Sequence, residues 1–568
     1  MSDKLEIPVS FAAVKTTTAG DGAMRITIPV DAQRGDAHLA ARLHRPGVAR
    51  DALLAIGDVL GSDLRRKASD RADYLQYLIQ RGKGVSKAVW DAQREYLALQ
   101  YGAAAKSEMP LDPVLTIGEG AIRLEVLSRD ESTYAQLVLR RPAALVDADH
   151  AGDSGRSYGT TFVALGADAF SAIGRIRSYR PTTLDFANAG GDPGVRTVPL
   201  RWLRAFGQMQ AASLLAKDRF ALSPIDLYNV LLTLRMRKAK TAPRGLRYEL
   251  VPGERPRLVL EPWDLVVHGT GEVYRGREPR VIRTWGRNRL NVLARVLPHA
   301  KSVHVALAGP GLPAIYVVDL GDATFSLALS GWTDAGWAGI ATFDLLVAAD
   351  DTPLAALAQL RMGHDLATGE LYDRPLLPKA LDASALKFRD AREAHAHRLL
   401  GEAGAVTLTK LHEQPEGRTI EGQVVDAKAH RTFFPAFTID REGRTSAASC
   451  TCSAFRRAGI KEGPCEHMIA LRVLLAREQA RLEAERMTAE GRARIVAETR
   501  TLLRRTDRGG AETYRISLDG RNVVSRFGTG IAQRMQKLHF NTIDDARVAY
   551  FDRLAVLANQ GFLDATQD

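Results

Sequence analysis

All three cysteines of this 568-residue chain fall within sixteen consecutive residues, and a histidine completes the group: Cys450-Thr-Cys452, twelve residues, then Cys465-Glu-His467. Cysteines scattered independently rarely land in two tight pairs that a histidine extends to four donors. Three thiolates and one imidazole form a closed tetrahedral ligand set for zinc. The C-x-C pair places both sulfurs on one side of an extended turn, and the C-x-H pair answers from the start of a helix. Four protein ligands leave no position for a water. The spacing therefore predicts one structural Zn2+ held by Cys450, Cys452, Cys465 and His467, not a catalytic ion. Iron also accepts thiolates, but zinc is the expected metal. A disulfide with one odd thiol would need an oxidising compartment. The opening Met1-Ser-Asp-Lys-Leu-Glu-Ile-Pro8 has no apolar core after basic residues, so no secretory signal is expected and a cytoplasmic location is.

The flanks of the four ligands are patterned as well. Ile420-Glu-Gly-Gln-Val-Val-Asp426 reads as a strand, Phe433-Phe-Pro-Ala-Phe-Thr-Ile-Asp440 follows, and Arg441-Glu-Gly-Arg444 turns. After the last ligand, Met468-Ile-Ala-Leu-Arg-Val-Leu-Leu-Ala476 reads as an apolar helix. With the ligand order C-x-C-x12-C-x-H, this stretch resembles the SWIM zinc finger. The resemblance covers residues 405–480 and implies two strands, a knuckle and a helix. Its four metal positions fall on the four residues named above without a change of ligand type. SWIM modules bind DNA or proteins, so the resemblance implies a partner of one kind or the other.

Hydrophobic residues make up 45% of the chain and charged residues 25%, ordinary for a soluble globular protein. The length calls for two to four domains. No apolar run is long enough to cross a membrane. The formal charge of +12 is concentrated: residues 171–300 hold 23 Lys and Arg against 10 Asp and Glu, an excess that alone accounts for the total. Such a region attracts polyanions over a Debye length of about 8–10 Å, and nucleic acid is the commonest of them. A solvated, arginine-rich surface carries the same signature.

Residues 1–150 read as an N-terminal α+β region. Strands occupy its start, including Met24-Arg-Ile-Thr-Ile-Pro-Val30. Apolar groups spaced at three and four predict helices around 72–79 and 89–99, and a period of two from residue 113 predicts a small antiparallel set. Asp, Gly and Ser at 146–160 mark a linker. A basic mixed α/β region follows over 160–345. In it, Ser223-Pro-Ile-Asp226 begins a helix by several rules at once: a capping hydroxyl, a proline in the first turn and an acid facing the positive helix end. The helix runs into Arg235, Arg237, Lys238 and Lys240, and a hairpin follows from Leu246 to Glu261. Helix plus hairpin resembles part of a winged helix, which makes those four cations candidate phosphate contacts. Cations there also complement the helix dipole. A helical connector is expected over 346–404, with His395 and His397 on its surface, and a charged helical linker over 481–510.

The last unit, 511–568, contains Tyr514-Arg-Ile-Ser-Leu-Asp519, Val523-Val-Ser-Arg-Phe-Gly-Thr-Gly530, and a helix from about Ile543 to Ala558. With Phe540 ahead of the Thr542-x-x-x-Ala546 helix start, Phe551 and the closing Gln560-Gly-Phe562, it resembles the WGR domain. That small sheet-plus-helix module occurs in poly(ADP-ribose) polymerases and many bacterial proteins. The family's Trp-Gly-Arg stands here as Phe527-Gly528-Thr529, so a ring is kept and the arginine is not. Arg526, Arg534 and Lys537 are the cations positioned to substitute for it.

Signatures of catalysis are missing. Neither G-x-x-x-x-G-K-[ST] nor G-x-G-x-x-G occurs. Gly155-Arg-Ser157-Tyr-Gly159 fits G-x-S-x-G, but a loop precedes it and a strand-like stretch follows, the reverse of a nucleophile elbow. Every thiol is committed to metal, and no catalytic residue is expected. The expected fold class is α+β and multidomain: a mixed central region, a zinc-stabilised ββα module and a C-terminal sheet-plus-helix module. The expected function is an accessory factor that binds nucleic acid, DNA favoured, without activity of its own. The alternative is an interaction adaptor working with a separate AAA+ ATPase or helicase. No membrane partner is expected.

Overall fold

The computed structural model describes residues 4–62, 112–147, 156–330, 360–377, 388, 391–486 and 499–565, short intervals within these ranges excepted. The helices expected at 72–79 and 89–99 lie outside the described residues. The chain divides into two compact units, Met1–Leu474 and Leu475–Asp568. Both mix helix and sheet, as the α+β expectation requires.

The first unit is organised by an eight-stranded antiparallel sheet. Its order is Gly159–Phe162, Val114–Ile117, Ala121–Leu127, Thr133–Arg140, Ala323–Leu329, Ala314–Asp319, Ser302–Leu307 and Asp218–Leu222. The joint in the middle pairs Ala323 with Leu139 and Leu329 with Thr133. Residues 1–150 and 160–345, expected as separate regions, therefore share one sheet. Period-two patterning identifies a strand but not its neighbour, and this joint links segments nearly two hundred residues apart.

Helices cover both faces of the sheet. Helix Pro46–Leu60 starts on a proline and buries Val48, Ala52, Leu53, Ile56 and Val59 at helical spacing. Its cluster includes Leu124, Val126, Leu137 and Leu139. On the other face, Trp202, Leu203, Phe206 and Met209 of helix Leu200–Leu215 pack with Leu127, Tyr134, Ile315 and Ala328.

Two-sided burial changes the meaning of the polar positions in the strands. Glu125 and Gln136 alternate with apolar residues as if to face water, yet both are buried. Tyr134 Oη donates to Glu125 Oε1 at 2.7 Å, and Gln210 donates to the same oxygen. Arg374, fully buried, lies with Nε 3.4 Å from Glu125 Oε2 and donates to Met362 O at 2.7 Å. Burial and the Glu125 charge push the Tyr134 hydroxyl well above its ordinary range, so it stays the donor. Breaking such a pair from one side strands a charge in low dielectric.

The helix expected at Ser223 forms as Pro224–Met236. The Ser223 N–H donates to Asp226 Oδ2 at 3.2 Å, while Thr270 donates to the same carboxylate through N–H (2.8 Å) and Oγ1 (2.9 Å). The following hairpin pairs Leu246 with Leu260 and is widened by Leu265–His268 and Arg280–Thr284 to four strands. Arg287–Arg295 forms a 3-10 segment. Buried Arg287 and Arg289 anchor it to the carbonyls of Gly245 and Ser330.

The second unit is a five-stranded sheet in the order Ala532–His539, Asn522–Thr529, Ala511–Asp519, Thr499–Arg505 and Leu563–Asp564. Helix Ile543–Asn559 closes one face through Ala546, Tyr550 and Leu557 against Tyr514, Ile516, Leu518 and Val523. Thr499–Arg505 was expected within the helical linker and is a strand paired with Ala511–Asp519. Its charged residues masked its one buried described position, Leu502. Among the described residues, no helix is long and apolar enough to cross a membrane.

Replacing Arg374 by Met should cost about 3–5 kcal/mol, because Glu125 stays buried and unmatched. The double variant E125Q/R374M should recover part of that loss. Chemical denaturation followed by tryptophan fluorescence checks both; equal midpoints for R374M and the native chain would contradict the reading.

Candidate metal centre

The four donors converge from three places in the chain. Strand Thr445–Ser449 ends beside Cys450, and Cys452 sits at the N-cap of the short helix Ser453–Ala458. Its Sγ accepts from the Phe455 N–H at 3.4 Å. Cys465 directly precedes helix Glu466–Arg486, whose second residue is His467. The ligand atoms of the four all lie within 4.8 Å of one another, and all four residues are buried. A tetrahedral ion with metal–sulfur bonds of about 2.3 Å needs sulfur–sulfur edges of about 3.8 Å. Modest contraction of the quartet reaches that geometry.

The chemistry of the donor set fits a cation. Hydrogen bonding from Cys465, aided by His467, draws the Cys450 thiol down to about 4. The same Cys450 partner and burial push Cys465 up, and burial pushes Cys452 up. Three buried sulfurs this close cannot all ionise by themselves, and a dication in their midst replaces the protons. His467 Nδ1 lies 4.0 Å from Cys450 Sγ, and its Nε2 is buried without a hydrogen-bond partner among the described residues. The group can hold one metal ion, with no protein donor position left for a reacting water.

Packing around the quartet explains why the sequence folds this way. The Phe433 ring lies 4.0 Å from the His467 ring, centroid to centroid. Gly422 faces the helix that carries His467: a Cβ there would meet Leu471 Cδ1 at 2.4 Å and Thr407 O at 2.9 Å. Only a hydrogen side chain admits the helix at this distance from the strand.

Helix Ala391–Gly401 joins the module as well. Arg392 donates to Pro464 O at 3.2 Å, immediately before Cys465. His395 Nε2 lies 3.1 Å from Asp426 Oδ2, with its ring 6.5 Å from that of His467. Although burial works against it, Asp426 is held below the usual carboxylate range by the Ala429 and Lys428 N–H groups and by His395. His395 and His397, expected on the surface, are half-buried. Helical spacing placed them on different faces but did not reveal that both faces are packed. Glu393 of the same helix is buried against Arg204 Nη1 at 2.7 Å.

The candidate phosphate contacts are dispersed. Arg235, Arg237 and Lys238 are exposed at the end of helix Pro224–Met236, and Lys240 lies outside the described residues. Part of the cationic excess is engaged in ion pairs. Arg247 and Arg283 pair with Glu261, Arg257 with Glu249, Arg280 with Asp218 and Arg295 with Asp58. In the C-terminal sheet the ladder pairs Arg526 with Arg515 and Met535, and Val524 with Ser517 and Lys537. Directly paired residues share a face. Arg515, Arg526 and Lys537 thus lie together on the face away from helix Ile543–Asn559, and Arg515 is a residue the sequence reading passed over. The alternation Tyr514, Ile516, Leu518 was the signal for it. Arg534 is exposed and pairs with Phe527. Phe527 itself stacks on Tyr514 at 5.1 Å, within the core side of the sheet.

No protein-family model matches the chain, and no curated protein does. Among solved structures, the proliferating cellular nuclear antigen of Entamoeba histolytica aligns over 52% of this chain and 99% of its own, with 6% identity and a TM-score of 0.31. A likeness at that level carries no argument. The SWIM and WGR resemblances rest on the residues quoted above.

Two outcomes follow. Cys465→Ala should abolish stoichiometric metal binding and open residues 440–475 to protease, leaving the eight-stranded sheet folded; full metal content with unchanged cleavage would contradict this. Gly422→Val should lower the stability of the same module by about 1–3 kcal/mol through overpacking, read as faster metal loss to a chelator than in the native chain.

Proposed function

We propose that this chain is a zinc-binding, SWIM-type accessory protein of the cytoplasm that binds nucleic acid, DNA in preference, and has no catalytic activity of its own. The zinc is structural: a closed Cys3His set orders residues 391–474 and leaves no coordination site for chemistry. The observation that carries the nucleic-acid reading is the cross-strand register that puts Arg515, Arg526 and Lys537 on one face of the C-terminal sheet. Three cations on one sheet face form a clustered positive patch of the kind that attracts a phosphate backbone. The exposed Arg235, Arg237 and Lys238 add a second positive patch.

A second reading, an adaptor for an ATPase or helicase partner, is favoured by one observation: an exposed apolar face on helix Pro224–Met236.

Fluorescence anisotropy with labelled duplex and single-stranded DNA and RNA, on zinc-loaded protein, tests the first reading. The logarithm of the affinity should fall linearly with the logarithm of salt, and R526A/K537A should reduce that slope by about 2. Salt-insensitive or absent binding would contradict it.

A further inference from the structure

Helix Pro224–Met236 is apolar on two opposite faces. Leu227, Val230, Leu231 and Leu234 are buried in the first unit's core. Ile225, Tyr228, Leu232 and Met236 are exposed by 54%, 42%, 42% and 77%. At about 100° per residue these four fall within an arc of roughly 80°, one stripe along three turns and about 16 Å of helix. Helices apolar all round are normally buried on all sides. Here the described residues cover only one side. An i, i+3, i+7, i+11 stripe is the geometry by which one amphipathic helix receives another.

Charge selects the occupant. Arg235, Arg237 and Lys238 stand exposed at the stripe's C-terminal end, and no carboxylate among the described residues pairs with them. The helix has no free acid to offer a second copy of itself. Its first-turn carboxylate, Asp226, is 2% exposed, and its oxygens accept from Ser223 and Thr270. An antiparallel self-pair would therefore leave the cations unmatched. A phosphate backbone would satisfy the cations but leave Ile225, Leu232 and Met236 without apolar contact.

We propose that this stripe is a docking surface for an acidic amphipathic helix of a partner protein. Its apolar face covers Ile225, Tyr228, Leu232 and Met236, and its carboxylates meet Arg235, Arg237 and Lys238. The proposal deepens the adaptor reading and rests on it; it shares Arg235, Arg237 and Lys238 with the nucleic-acid reading and is told apart by the apolar side chains, which a polyanion leaves uncovered.

The test uses the full zinc-loaded chain and two labelled synthetic peptides of about 15 residues, with Leu at i, i+3, i+7 and i+11. One carries Glu at the flanking positions and the other Lys. Anisotropy should show the Glu peptide binding at least tenfold more tightly than the Lys peptide. The neutral variant L232Q/M236Q should bind the Glu peptide at least tenfold more weakly, with zinc content, melting and DNA titration unchanged. Equal binding of both peptides, no binding of either, or a dimer in sedimentation that L232Q/M236Q dissociates would each overturn the proposal. Absent DNA binding by the native chain, with the Glu peptide still bound, would count against the nucleic-acid reading and leave this one standing.

Discussion

The ladder between Thr133–Arg140 and Ala323–Leu329 is the contact on which the first unit depends. It joins the four strands on one side of the sheet to the four on the other. The joined sheet is wide enough to hold helices on both faces. That coverage places Glu125 and Gln136 in the interior, and the interior then requires Arg374, Tyr134 and Gln210 as partners. A polar network of this kind is costly when incomplete, so it fixes one arrangement of the strands, the Leu200–Leu215 helix and the segment around Arg374.

The same logic redistributes the charge. From composition, residues 171–300 read as one basic surface. In the fold, several of its arginines serve as internal ties: Arg204 to Glu393, Arg280 to Asp218, and Arg247 and Arg283 to Glu261. Guanidinium groups suit this use because a planar fork satisfies carboxylates and carbonyls together. What faces outward is a smaller set, and the C-terminal sheet adds Arg515, Arg534 and Lys537 to it.

Local chemistry was legible in the sequence, and long-range pairing was not. The Ser223-Pro-Ile-Asp226 start and the 246–260 hairpin follow from capping and turn rules that act over a few residues. The four donors were legible because a metal fixes both spacing and residue type. Nothing local marks Thr133 as the neighbour of Leu329, Arg374 as the mate of Glu125, or Thr499–Arg505 as a strand of the last sheet. The Arg515–Arg526 register became visible only once the ladder was set.

The quartet of Cys450, Cys452, Cys465 and His467 can hold one metal ion. Around it the Phe433 ring, Gly422 and the Ala391–Gly401 helix pack close to the four donors. X-ray absorption at the metal edge of the purified protein measures that shell directly. The account predicts one zinc per chain with three sulfur neighbours near 2.3 Å and one nitrogen near 2.0 Å. A six-coordinate shell of oxygen donors, or a protein purified without metal and folded at residues 440–475, would contradict it.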